Sequence, residues 1–98
     1  MQASAELLDC RSLKPGSVID VETKSRHYQI ECLGGDEVRI SGHPLYCPHP
    51  MPAHFEGSLN REGSLDCGLI KCGMRLLFIV EDRLPVTTSK VLHLHYDS

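Results

Sequence analysis

From Val18 onward, apolar and polar residues alternate with a period of two. Ile19 and Val21 share one face of SVIDVET, Tyr28, Ile30 and Cys32 one face of HYQIECL, and Val38 and Ile40 one face of EVRIS. An extended backbone sends successive side chains to opposite sides, so these stretches read as half-buried strands. TKSR and GGD are short enough to be tight turns between them, which makes residues 17–41 a three-stranded meander. The run GMRLLFIVED is the most hydrophobic in the chain, and it predicts a strand buried on both faces with Leu76 and Phe78 in the core. In the closing stretch TTSKVLHLHYDS, strict alternation sets Leu92, Leu94 and Tyr96 against Val91, His93 and His95.

The first residues follow a different period. In SAELLDCR (4–11), Ser4 is a fair N-cap and Leu7, Leu8 and Arg11 stand at helical spacing, so a short N-terminal helix is predicted, ended by Pro15 and Gly16. The near repeat EGSLNR–EGSLDC (56–67) reads as two similar glycine turns around short strands, since two hexapeptide copies are too few for a β-helix. Residues 1–98 therefore predict a single all-β domain. Its architecture is a small barrel or sandwich of six to eight short antiparallel strands, with a short helix in front.

The turn and strand-start residues in LKPGSVIDVETKSRHYQI, VRISG, GSLNREGSLDCGLIKCGMRLLF and TTSKV give the chain a second likeness. Over residues 13–95 it resembles a set of small bacterial all-β proteins with no assigned function. The resemblance implies a β domain of bacterial origin and transfers no activity and no site residues.

Composition adds limits. The chain has 98 residues and a net charge of −3, with five phenylalanine or tyrosine residues and no tryptophan, so the core is aliphatic. A small aliphatic core favours self-association or a protein partner. Basic residues are scattered along the chain, which argues against nucleic acid as a partner, although folding can gather dispersed cations. The N-terminus lacks a basic, then apolar, leader pattern, and no stretch approaches a membrane span, so a cytoplasmic chain with no membrane partner is expected. Five cysteines, an odd number, fit free thiols there.

The stretch HPLYCPHPMPAH (43–54) carries the densest chemistry. His43, Cys47, His49 and His54 are of the types that hold zinc, but their spacing is not one that zinc sites use. Pro44, Pro48, Pro50 and Pro52 cannot donate to a ladder. The segment thus predicts a stiff, exposed connection with Leu45, Tyr46 and Met51 packed on the barrel, and neither a metal nor any other cofactor is expected. Metal or ligand binding by those four residues is the alternative. Cys67 and Cys72 form a C-x4-C pair that reads more simply as two small side chains beside a turn. Cys47 with His43 or His49 lacks an evident oxyanion hole for nucleophilic catalysis. Glu81 and Asp82 are adjacent, which turns them apart on a strand. His93, His95 and His27 read either as one metal-binding or pH-sensitive sheet face or, more simply, as the wet side of the sheet. No glycine-rich phosphate loop is present. These readings favour a non-enzymatic domain acting through its surface, as an interaction or self-association module.

Overall fold

The computed structural model describes residues 2–81 and 84–97. Among these the chain forms eleven strands: β1 (Gln2–Ala5), β2 (Leu7–Asp9), β3 (Val18–Thr23), β4 (His27–Gly34), β5 (Glu37–Ser41), β6 (Met51–Leu59), β7 (Leu65–Cys67), β8 (Leu69–Lys71), β9 (Arg75–Val80), β10 (Leu84–Thr87) and β11 (Val91–Asp97). All pairings are antiparallel. One sheet runs β1-β11-β3-β4-β5-β6-β9-β10, with β7 paired to β6 at its end, and β2 and β8 form a second, two-stranded sheet. No described helix is long and apolar enough to cross a membrane.

The meander is as its alternation predicts. Ile19, Val21, Tyr28, Ile30, Cys32, Val38 and Ile40 are all buried on one face. Ala53, Phe55, Leu76, Phe78, Val80, Val86, Val91 and Leu94 add to the core from the same sheet, and Leu8, Cys10, Cys47 and Ile70 from outside it. A sheet that buries one face against itself must curl. The curl brings the start of β9 to the start of β11, where Gly73 N–H donates to the Val91 carbonyl at 2.8 Å and Val91 N–H to the Met74 carbonyl at 2.9 Å. These contacts are not continued as a ladder, so the barrel is not closed.

Several expectations are corrected. The N-terminal helix is absent: β1 pairs with β11 and β2 with β8, and only Cys10–Ser12 make a 3-10 turn. Eight residues cannot repay helix nucleation alone, and two sheet edges compete for their backbone groups. The strand count exceeds six to eight because these edge pieces are three or four residues long. β9 is not buried on both faces but alternates, with Leu76, Phe78 and Val80 inside. In β11 a register shift between Val91 and His93 puts Val91 and Leu94 on the same, inner side, where strict alternation would part them.

Residues 43–54 divide in two. Pro52 stands inside β6, a central strand, opposite Arg39, and its carbonyl accepts from Glu81 N–H at 3.1 Å. The connection is therefore shorter than predicted and is the loop between paired β5 and β6. Leu45 is 79% exposed, so it does not pack on the core, whereas Met51 does.

Candidate functional site

The four metal candidates do not converge. Cys47 is fully buried, with its backbone bridged to His43. Burial raises the Cys47 thiol pKa, which the His43 backbone contact only partly offsets; a nucleophile needs the opposite. His43 turns its Nδ1 inward on the loop, accepting from the Leu45 and Tyr46 N–H groups at 3.2 and 3.3 Å, with its ring 4.5 Å from that of Tyr46. His49 is exposed in the loop, while His54 sits in β6 between Glu37 and Ile79. Among the described residues no three His, Cys, Asp or Glu side chains are placed to share a metal ion.

His43 instead works as a loop clamp. Burial, then the charge of Arg26, holds its pKa below the ordinary histidine value. The neutral ring is the form that accepts both amides, so its contribution is full above the unfolded pKa of about 6.5 and is lost as the pH falls from there through the folded value. An NMR titration is expected to show His43 titrating below that value, with the Leu45 and Tyr46 amides following the same midpoint. A midpoint at or above it, or amides that do not respond, would remove the clamp.

The other constellations are also parted. β3 lies between β4 and β11, so Glu22 stands between His27 and His93. His27 faces Asp20 at 3.9 Å and His93 faces Glu22 at 4.0 Å, both well exposed and of little energetic weight. Cys67 is exposed at the end of β7, whereas the Cys72 thiol points at the Ala5 carbonyl, 3.8 Å away. Glu81 is in a turn with φ 51°, and Asp82 lies outside the described residues.

What folding does assemble is a basic groove that the linear sequence conceals. The near repeat becomes the hairpin β6–β7, with Gly57 opposite Cys67 and Leu59 opposite Leu65. Its tip is shaped by Asn60, whose Oδ1 accepts from the N–H groups of Glu62 and Ser64, each at 2.9 Å. The root of the hairpin is fixed by buried Ser58, which donates to the Leu69 carbonyl at 2.7 Å and accepts from Lys71 N–H at 3.1 Å. Register then sets Arg75, the first residue of β9, opposite Leu59. On the far side, Thr88 ties the β10–β11 link to β9: its Oγ1 accepts from Leu76 N–H at 3.0 Å and its N–H donates to the Leu76 carbonyl at 2.9 Å.

Between these elements lies an open groove of about 450 Å³, lined by Asn60, Arg61, Met74, Arg75, Thr87 and Lys90 among others. Arg61, Arg75 and Lys90 are all exposed. No carboxylate and no aromatic side chain lines the groove among the described residues. The backbone of Lys90 is held by Lys24, whose N–H donates to the Lys90 carbonyl at 3.0 Å. The three lining cations belong to three separate parts of the chain, so no sequence window shows them as a cluster.

No protein-family model, curated protein or solved structure matches this chain.

Proposed function

We propose that this domain is a non-catalytic interaction module, and that its basic groove docks an acidic segment of a protein partner. The observation that carries this reading is the gathering of Arg61, Arg75 and Lys90 around one carboxylate-free groove, on a chain whose net charge is −3. A positive potential focused in a concavity draws anionic groups and steers their encounter. Nucleic acid is disfavoured because single strands need aromatic platforms for stacking and the groove lining offers none. A small anion would need buried, fixed donors, whereas all three cations stand at the rim on flexible stems. An extended acidic chain offers several carboxylates to such a set of cations.

The test is fluorescence anisotropy with a labelled glutamate-rich peptide at low salt, comparing the parent with Arg61→Glu/Arg75→Glu. Each arginine contributes about 1 kcal/mol, so the double reversal should weaken binding about tenfold or more. Added salt should weaken the parent in the same direction. Equal affinity for parent and variant, or equal binding of a lysine-rich control peptide, would refute the assignment.

A further inference from the structure

The core holds a dithiol that no motif announces. Cys10 opens the 3-10 turn after β2, and Cys32 lies near the end of β4, 22 positions later; their sulfurs approach to 3.5 Å. Both residues are buried, at 2% and 1% exposure. The approach is built from both sides. Cys10 N–H donates to the Gly68 carbonyl at 3.0 Å and Cys32 N–H to the Ser17 carbonyl at 2.8 Å. Arg11 then closes over the turn. Its guanidinium occupies the space a Cβ on Gly68 would need, and its Nη2 donates to the Cys67 carbonyl at 3.2 Å.

We propose that Cys10 and Cys32 form a peroxide-responsive pair that closes to a disulfide and fastens the N-terminal segment to the meander. A disulfide has a sulfur–sulfur distance of about 2.05 Å, so closure asks for a movement of about 1.5 Å, within reach of a turn held by backbone hydrogen bonds. The two thiols are hydrogen-bonded to each other, and either sulfur can be the donor. A thiolate on one sulfur is stabilised by the S–H of the other, so one cysteine attacks the oxidant and its partner resolves.

The oxidant of this proposal is hydrogen peroxide, a small neutral molecule, since burial of both sulfurs hinders the approach of a bulky disulfide. The thiolate of one cysteine attacks one peroxide oxygen and the O–O bond breaks. This leaves a sulfenic acid on that cysteine and a hydroxide that takes a proton to become water. The partner thiol then attacks the sulfenic sulfur, its proton leaves with the sulfenic oxygen as a second water, and the S–S bond forms. Two thiols are oxidised by two electrons and one peroxide is reduced to two waters. Cys47 is not hydrogen-bonded to this pair, Cys67 is exposed, and the Cys72 thiol points at the Ala5 carbonyl.

The experiment uses the full chain carrying Cys67→Ser and Cys72→Ser, which leaves Cys10, Cys32 and Cys47. After a brief exposure to hydrogen peroxide, thiol titration under denaturing conditions is expected to fall from three groups to one. Peptide mapping should place the bond between Cys10 and Cys32. Because the cross-link restricts the unfolded chain, Tm should rise by about 10 °C and return on treatment with dithiothreitol. Three surviving thiols overturn the proposal, as do a bond to Cys47, a bond between molecules, or oxidation to sulfinic acid without a bond.

Discussion

Phe78→Ala is expected to cost about 3–5 kcal/mol in the free energy of unfolding, measured from urea denaturation at unchanged slope. Phe78 is fully buried in β9 and stands in register with Phe55 of β6, with ring centroids 5.2 Å apart and planes at 42°. These are the only two phenylalanines in the chain. The β6–β9 pairing carries the groove as well as the core, so truncation loosens both. Domains of this size have about 5–15 kcal/mol in all, which puts the variant near the threshold of folding. A loss below about 1 kcal/mol would mean that the aromatic pair is not the centre of the core.

Gly57→Ala is the second large effect, expected at about 3 kcal/mol or more. Gly57 has φ 146°, in a region that favours glycine, and it sits where the β6–β9 register shifts. A Cβ there would fall on the Asp66 carbonyl oxygen and the Cys67 Cα of β7, which are backbone atoms without room to yield. Gly63, at the tip of the same hairpin, is the matched control. Its φ is 84°, and a Cβ would meet nothing within 4 Å, so Gly63→Ala should cost only the backbone preference, about 1 kcal/mol. Equal losses at the two positions would show that the close approach of β6 to β7 does not constrain the hairpin that presents Arg61.

Much of the fold was legible because alternation reports burial directly. Ile19 through Ile40 face the core as their spacing demands, and the turns at TKSR and GGD follow from length alone. Alternation fails where the backbone slips. The bulge at Val91–His93 turns two residues of opposite parity inward, and nothing in KVLHLH marks it. The first residues misled for another reason. Helical spacing of Leu7, Leu8 and Arg11 is a weak local preference, and two open sheet edges outweighed it.

Proline misled in a third way. It bars a ladder donor, but Pro52 keeps its carbonyl, and that acceptor suffices for its place in β6. The site was harder still to read. Three histidines and one cysteine crowd together at 43–54, yet they go separate ways, Cys47 into the core, His43 onto its own loop, His54 into a strand and His49 to the surface. The groove has the reverse history, because Arg61, Arg75 and Lys90 meet only after β6, β9 and the β10–β11 link are paired. The Cys10–Cys32 approach likewise spans two elements whose contact depends on the fold of the N-terminus.

The groove is tested most directly by following backbone amide shifts of isotope-labelled protein as the glutamate-rich peptide is added. Shifts should concentrate at Asn60, Arg61, Gly63, Met74, Arg75 and Lys90, and fade as salt shortens the reach of the charges from about 10 Å at 0.1 M to about 3 Å at 1 M. Saturating shifts centred instead on the 43–47 loop or on the His27 and His93 face, or no shifts at all, would contradict the assignment of this groove as the docking site.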